Sequence, residues 1–407
     1  SAYGAFQDHD GGPAAAAILA AAGAETHPVV LAAAVDTLAR FRSEAARQAL
    51  VASFKGAKGT ERVVAAQALR GVRGADVDAA LTDAVVNAPP TIAGLAAAAL
   101  AVPGRSGAAP ALLAALAEDA PHVRVAAARA LGALGDRAAV APLVARLALE
   151  KGRVRGEVVA ALEAITRQGL GDSPAAWAAV VAGTDPKLVE AKPTHPPSFF
   201  GLPVTGERVV FVLDRSLQMS DAHALADEAK RERLQALCTP KDGERIPWRQ
   251  LKSRMQLAQA HVRHAVDGLP ASSRFEVVVF AEDVAGIFGK KLVPPSTASK
   301  KTLDDAFAKL QTDDGINVWE ALLTALDLGG PTDDKALKAG PDQVFLVLNN
   351  VPTKGDVIDP DAVEKGVAFR ARTRGVAISV VDMGANRQLL AEGIAKSTGG
   401  VYLDLTK

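Results

Sequence analysis

The sequence predicts a two-part chain, in which an α-helical repeat array precedes an α/β domain with a mostly parallel sheet. The first half is rich in Ala, Leu and Val, with apolar residues at three- and four-residue steps, which is typical of packed helices. From residue 207, short apolar runs alternate with helical patterns, which is typical of strands buried in a parallel sheet. We therefore expect a helical domain at 1–185, a Pro-rich linker at 186–206 and an α/β domain at 207–407.

Composition narrows the possible functions of these 407 residues. Lys+Arg and Asp+Glu are both 46, and only 4% of residues are aromatic, which gives no basis for a nucleic-acid partner. Cys238 is the single cysteine, so the compartment stays open. No apolar run approaches the ~20 residues of a membrane span. The chain starts at Ser1 without Met or a basic leader, which suggests a processed or trimmed product.

A fixed period of 31 residues runs through the first half. Leucines mark it at Leu38, Leu69, Leu100, Leu131 and Leu162. A small residue precedes each one: Thr37, Ala68, Ala99, Ala130 and Ala161. Breaks at Gly74, Pro103-Gly104 and Gly135-Asp136 fall between the predicted helices. Because a single hairpin cannot bury its apolar stripe, we expect about five hairpins to stack into one core.

Residues 123–143, with Ala-Ala-Ala-Arg-Ala-Leu-Gly-Ala-Leu-Gly-Asp at their centre, resemble the short HEAT-like repeats of bacterial proteins. The resemblance implies a surface for protein partners. The alternative is a spacer or an internal docking platform for the second domain.

Proline interrupts the helical pattern after the array, at Pro186, Pro193, Pro196, Pro197 and Pro203. Proline removes backbone donors and disfavours helix, so we expect an extended linker. Phe199, Phe200 and Leu202 are unusual in a free tether, and we expect them to pin the linker to one of the domains.

The second half predicts strands and helices in alternation, with right-handed crossovers and helices on both faces of the sheet. The predicted strands are Val209–Leu213, Phe275–Phe280, Val344–Leu348, Val376–Val381 and Val401–Leu405. The predicted helices are Trp248–Leu269, Leu303–Leu310, Val318–Leu326, Pro360–Arg374 and Leu389–Ser397.

Five motifs of residues 207–407, taken in order, resemble a von Willebrand factor type A (VWA) domain. They are Val-Val-Phe-Val-Leu-Asp-Arg-Ser at 209–216, Arg-Phe-Glu-Val-Val-Val-Phe at 274–280, Gly-Ile-Asn-Val-Trp-Glu-Ala-Leu at 315–322, Val-Pro-Thr-Lys-Gly at 351–355 and Ser-Thr-Gly-Gly at 397–400. The resemblance implies a doubly wound, Rossmann-like fold. HEAT-like repeats, the segment 199–204 and this domain together also resemble a bacterial architecture found on exported proteins, which favours an exported over a cytoplasmic location.

The VWA resemblance implies a divalent-cation site built from Asp-x-Ser-x-Ser, a Thr and an Asp in three loops. This chain keeps Asp214 and Ser216, but the other positions hold Gln218, Ile316 and Asn350. With fewer oxygen ligands a hard cation gains little. We expect a largely lost metal site whose remnants are Asp214, Ser216, Asn317 and Asn350. Any cation would be Mg or Ca, and no other cofactor is expected.

Two arrangements of this site remain open. Without a metal, Asp214 would accept hydrogen bonds from neighbouring loop amides and from Asn317 or Asn350. Alternatively, Asp313, Asp314 or Ser220 would substitute for the missing ligands. Residues 221–247 form a charged insertion beside the site, which either caps it or is a solvated segment without a role.

No catalytic motif is present. The sequence lacks a Gly-x-x-x-x-Gly-Lys phosphate loop and a Gly-x-Ser-x-Gly elbow. His261 and His264 share a helix face, but two ligands do not complete a zinc site. We therefore expect a non-enzymatic interaction or scaffold protein. The alternatives are a metal-dependent adhesion module that binds a partner carboxylate, and a self-associating structural subunit of a larger bacterial assembly.

Overall fold

The chain divides into two compact units in a computed structural model. The first comprises residues 1–194 and 373–375, and the second comprises residues 195–372 and 376–407. The structure describes residues 11–102, 104–188, 196–221, 225, 228–237, 246–330, 334–384 and 389–405.

The first unit is an array of helical pairs. Its helices are α1 Gly12–Ala24, α2 Pro28–Leu38, α3 Glu44–Gly56, α4 Gly59–Ala68, α5 Ala75–Asn87, α6 Pro90–Leu100, α7 Ala109–Ala115, α8 Pro121–Leu134, α9 Val140–Leu147, α10 Gly152–Thr166 and α11 Pro174–Ala182. Consecutive helices pack as pairs from α1–α2 to α9–α10. The even-numbered helices α2 to α10 also stack on one another, and so do α1, α3, α5 and α7. The predicted repeat array is confirmed as two layers of stacked helices.

The periodic leucines form the spine of the first core. Leu38, Leu69, Leu100, Leu131 and Leu162 are all 0% exposed. The small residue before each one is also buried, and this lets neighbouring helices approach closely. At Gly132 of α8, an added Cβ would lie only 2.9 Å from the Cα of Ala161 in α10. The abundance of small residues in the sequence therefore has a direct packing reason.

Periodic arginines close individual helical pairs, a feature that the sequence analysis missed. Three of them, each on an even-numbered helix, donate from the guanidinium to a backbone carbonyl at the end of the preceding helix or just after it. The pairs are Arg62 Nε to Phe54 O at 2.8 Å, Arg124 Nη1 to Glu118 O at 2.7 Å and Arg155 Nη1 to Leu147 O at 2.8 Å. The last carbonyls of a helix have no intrahelical partner, so these bonds satisfy groups that would otherwise need water.

The second unit alternates strands and helices. Its strands are β1 Ser198–Phe199, β2 Leu202–Pro203, β3 Arg208–Asp214, β4 Arg274–Phe280, β5 Val284–Gly286, β6 Gln343–Leu348, β7 Ala377–Asp382 and β8 Tyr402–Asp404. Its helices are α12 Glu228–Leu237, α13 Arg254–Gly268, α14 Thr297–Lys309, α15 Val318–Leu326, α16 Asp334–Ala339, α17 Pro360–Arg374 and α18 Leu389–Thr398.

The main sheet has the strand order β5-β4-β3-β6-β7-β8. All neighbouring pairs are parallel except β4 and β5, which are antiparallel. Strands β6 and β7 are buried along their whole length, as expected of a sheet covered on both faces. From the central strand β3 the chain first moves toward β4 and later returns to the opposite side at β6. This reversal is the switch point at which open α/β sheets form their binding crevice.

Capping residues move two helix starts away from the predicted positions. Helix α13 begins at Arg254 instead of Trp248, because Ser253 Oγ accepts the Gln256 amide at 3.2 Å. Helix α14 begins at Thr297 instead of Leu303, because Ser296 and Ser299 form a reciprocal capping box. The apolar pattern that guided the prediction does not contain these polar signals.

The expected linker includes a small hairpin, β1–β2, that belongs to the second unit. Its turn places Phe200 at φ 51° and Gly201 at φ 76°, and a positive φ is unusual for Phe. The rings of Phe200 and His261 are stacked, with their centroids 3.8 Å apart. The backbone amide of Phe200 donates to His261 Nδ1 at 3.3 Å. The Phe199 ring packs against the Phe211 ring, with a distance of 5.0 Å between their centroids. These contacts hold the strained turn against the core, so the aromatic pair fastens this segment as expected.

The insertion at 221–247 contributes apolar side chains to the second core. Leu225, Leu234 and Ile246 are all buried there. Cys238 and Pro193 lie outside the described residues. Among the described helices, none combines the length and apolarity that crossing a membrane requires.

Candidate functional site

Asp214 ends β3 beside the switch point and has no exposed surface. Its Oδ1 accepts the Ser216 amide at 2.7 Å, and its Oδ2 accepts the Asn349 amide at 3.0 Å. Asn349 directly follows β6, so the carboxylate joins the loops of two neighbouring strands. The expected loop-amide partners are present, but the second one is Asn349, not Asn317 or Asn350.

Burial dominates the electrostatics of Asp214. Desolvation raises the pKa of this carboxyl above its ordinary value, and the hydrogen bonds from Ser216 and Asn349 oppose the rise. No cationic side chain is among the main causes of the shift. The backbone amides are therefore the groups that compensate the buried charge.

Ser216 is the second residue of the Asp-x-Ser pattern that this chain retains. Its side chain is buried, and its Oγ makes no well-directed hydrogen bond among the described residues, but its hydroxyl lies close enough to Asp214 to help lower the pKa of that carboxyl. Its backbone pairs with Asp313 in an isolated parallel bridge. Ser216 thus offers one oxygen to a ligand at this edge of the sheet.

At the position of the expected Thr hydroxyl, the second loop offers no side-chain oxygen. Ile316 is buried, and its amide donates to Thr353 Oγ1 at 3.0 Å. Asn317 is the N-cap of α15: its Oδ1 accepts the Glu320 amide at 3.2 Å, and its Nδ2 donates to Glu282 O at 3.1 Å. The Asn317 side chain therefore uses both of its ends to hold the loop.

The third loop turns its predicted ligand outward. Asn350 is exposed, and its Oδ1 accepts the next amide, that of Val351, at 2.8 Å. Its neighbour Asn349 is buried, and Asn349 Oδ1 accepts Arg254 Nη1 at 2.8 Å. Sequence reasoning missed Arg254, although its place in the first turn of α13 was a usable signal. A chain of contacts thus runs from Arg254 through Asn349 to Asp214.

Charged side chains surround this edge and pair with one another. Arg215 makes ion pairs with Asp283 and with Asp313, the latter at 3.5 Å. Lys354 pairs with Glu282 at 3.2 Å. These pairs connect the loops that follow β3, β4 and β6.

The donors present do not fit an octahedral Mg²⁺ site, which needs six oxygens. Ser216 Oγ is available, but Ile316 presents only carbon. Gln218 is exposed in the turn at 217–220, and Asn317 caps a helix. Of the possible substitutes, Ser220 Oγ donates to Leu217 O at 2.6 Å, and Asp313 pairs with Arg215. Asp314 is exposed, and its carboxylate makes no ion pair among the described residues. Within the described part of the chain, no cluster of three or more His, Cys, Asp or Glu side chains is arranged to hold a metal ion.

The histidine pair at 261 and 264 does not form an open site. His261 is completely buried between aromatic rings, and burial lowers its pKa to about 3. Its Nδ1 already accepts the Phe200 amide, so the neutral ring acts as a structural acceptor. His264 is also largely buried.

The first unit has a groove between α5 and α7, of about 650 Å³. Thr82, Asp83, Val86 and Asn87 line one side, and Val86 is 51% exposed. Arg105 lies buried at this groove and pairs with Asp78 at 3.0 Å. The groove gives the repeat array one concave surface of mixed polarity.

Comparison with known proteins identifies the repeats. Residues 79–163 match the family model for HEAT repeats. Among solved structures, the chain is similar to von Willebrand factor type A from Catenulispora acidiphila, with 15% identity and a TM-score of 0.34. That similarity covers 50% of this chain and 41% of the other, so the chain spans less than half of that protein. No curated protein matches the chain.

The match in the first unit and the strand order of the second fit the predicted organisation. The first unit therefore contains a segment similar to HEAT repeats, and the second unit is an α/β domain with a mostly parallel sheet.

Proposed function

We propose that this protein is a non-catalytic interaction or scaffold protein that binds protein partners without a metal ion. The helical repeats and the VWA-like domain both belong to classes of module that present surfaces to other proteins. The observation that carries the proposal is the set of groups around Asp214: Ile316 is buried at the position of the expected ligand hydroxyl, and Asn350 is exposed, with its Oδ1 bonded to the Val351 amide. Asp214 and Ser216 alone supply too few oxygens for an octahedral Mg²⁺ site.

The chemistry around Asp214 supports a non-catalytic role. Neutral His261 is enclosed by aromatic rings, so it offers no accessible base. Asp214 is enclosed as well, and its pKa shift follows from burial. A perturbed pKa in an open cleft would indicate a reactive group, whereas here burial and structure account for it.

A metal-dependent adhesion module is the second candidate, and one observation favours it. Ser216 Oγ is buried without a partner among the described residues, as an oxygen kept for a ligand would be. Against it stand the apolar Ile316 and the outward-facing Asn350.

Calorimetric titration of the protein with Mg²⁺, Mn²⁺ and Ca²⁺, beside an Asp214→Ala variant, tests the proposal. We expect no binding heat from any of the three ions and no change in melting temperature. Saturable binding that Asp214→Ala abolishes would favour the adhesion module instead.

A further inference from the structure

The loops at the C-terminal edge of the main sheet carry more negative than positive charge. Their exposed carboxylates are Glu282, Asp283, Asp313, Asp314, Asp356 and Asp359. The cations in the described loops 215–221, 281–283, 310–317 and 349–359 are Arg215 and Lys354. We call these four loops the acidic edge.

Ion pairing leaves part of this negative charge uncompensated. Arg215 is shared between Asp283 and Asp313, and Lys354 is taken by Glu282. The carboxylates of Asp314 and Asp356 make no ion pair or hydrogen bond among the described residues, and both residues are exposed. The surplus charge would attract a cationic partner.

Large apolar side chains are exposed on the same loops. Leu217 is 50% exposed, Val351 is 43% exposed and Ile358 is 53% exposed. The hydrogen bond from Asn349 to Asp214 brings the loop of Leu217 next to the loop of Val351. Apolar and acidic groups therefore share one surface.

Two buried oxygens at this surface have no partner among the described residues. One is Ser216 Oγ, in a residue that is 1% exposed, and the other is Glu320 Oε2. The other carboxylate oxygen of Glu320 accepts the Asp356 amide at 2.8 Å. Both oxygens can accept a hydrogen bond, and the Ser216 hydroxyl can also donate one, so a ligand that supplies N–H donors would match their acceptor side.

We propose that the acidic edge binds a protein segment in which Lys or Arg adjoins aliphatic residues. Such a segment is opposite in charge to the carboxylate that a metal-bearing site of this fold would take. The inference rests on the proposed metal-independent function and specifies its partner. Ammonium or guanidinium groups would meet Asp314, Asp356 and the unpartnered oxygens, while aliphatic side chains would cover Leu217 and Val351.

Fluorescence anisotropy with two labelled peptides of alternating charged and leucine residues tests this proposal. One peptide carries Lys and the other carries Glu at the charged positions, and the full chain is titrated into each. We expect the Lys peptide to bind at least about tenfold more tightly, with an affinity that falls as salt rises. Equal affinity, or tighter binding of the Glu peptide, would overturn the proposal.

Charge-reversal variants locate the binding. Asp314→Lys/Asp356→Lys should lower the affinity for the Lys peptide by about tenfold or more, since two attractive charges become repulsive. The matched control is Glu118→Lys/Asp119→Lys, which reverses two exposed carboxylates of the first unit. Leu217→Ser/Val351→Ser should also weaken binding, and circular dichroism should show that each variant stays folded. Equal losses in the edge and control variants would overturn the assignment to this edge.

Titrations run in Mg²⁺ and in EDTA distinguish a failure of the proposed metal-independent function from a failure of the proposed partner chemistry. If the Glu peptide binds only in Mg²⁺, the metal-independent function is wrong, and the inference fails with it. If binding is unaffected by EDTA but does not favour the Lys peptide, only the partner chemistry is wrong. Light scattering covers a further outcome: dimerisation that Asp314→Lys/Asp356→Lys abolishes would assign the edge to a second copy and overturn the basic-segment proposal.

Discussion

The Asn349 amide donates to Oδ2 of Asp214 at 3.0 Å, and this bond joins the ends of β6 and β3. The VWA resemblance implies that the Asp214 carboxylate faces a cation, whereas here this oxygen accepts a backbone amide. The bond depends on the course of the loop and not on the Asn349 side chain, which instead accepts Arg254 at 2.8 Å. The loops at the switch point of the sheet are thus joined by the chain's own hydrogen bonds.

Replacement of Asn317 should separate a capping role from a ligand role. Asn317→Ala removes the N-cap of α15 and should lower the free energy of unfolding by about 1 kcal/mol. Asn317→Asp should lower the free energy of unfolding by less, because Asp caps a helix about as well as Asn. Chemical denaturation followed by circular dichroism measures both variants. Equal stability of Asn317→Ala and the wild type would contradict the capping role.

Acid should destabilise the second unit through His261. The pKa of His261 is about 3 in the folded chain, below its ordinary value of 6.5, so the unfolded chain binds a proton first as the pH falls. The stabilisation is complete above pH 6.5 and declines as the pH drops toward 3. Each pH unit inside that window should cost up to about 1.4 kcal/mol.

The matched variant for this pH effect is His261→Asn, whose Oδ1 can still accept the Phe200 amide but does not titrate. We expect it to be less stable at neutral pH, because the ring that stacks on Phe200 is lost. Its unfolding free energy should vary less between pH 4 and 6.5 than that of the wild type. Parallel pH curves for the two proteins would show that His261 does not carry the effect.

Truncation of a periodic leucine should test the repeat core. Leu131→Ala removes a completely buried side chain and should cost about 2–5 kcal/mol of unfolding free energy. Leu149→Ala is the control, since Leu149 is 72% exposed, and it should change stability by less than about 0.5 kcal/mol. The helical signal in circular dichroism, followed during chemical denaturation, measures the unfolding free energy of both variants. Similar midpoints for the two variants would contradict a core role for the period.

Much of the fold was predictable because it follows from apolar spacing. The leucines from Leu38 to Leu162 mark one buried position per repeat, and burial of that kind leaves a period in the sequence. Helix α15 at Val318–Leu326 and helix α17 at Pro360–Arg374 have the predicted bounds. The mostly parallel pairing of the strands followed from their alternation with helices.

The site was predictable only in part, because polar side chains choose partners by local backbone geometry. Sequence spacing named Asp214, but it did not show that Asn349, one residue before the expected Asn350, supplies the amide. The positive φ of Phe200 and the carbonyl bonds of Arg62, Arg124 and Arg155 were also missed. These arginines do follow the repeat period, so the period of polar residues was an unused signal.

The most direct test of a metal-free site is to rebuild it. The triple variant Gln218→Ser/Ile316→Thr/Asn350→Asp returns the missing oxygens, and calorimetry with Mg²⁺ and Mn²⁺ compares it with the wild type under the same conditions. We predict saturable binding by the triple variant and no binding heat for the wild type, because Ile316 and the outward Asn350 deny it ligands. Equal affinity of the two proteins for either ion, abolished in both by Asp214→Ala, would contradict the account.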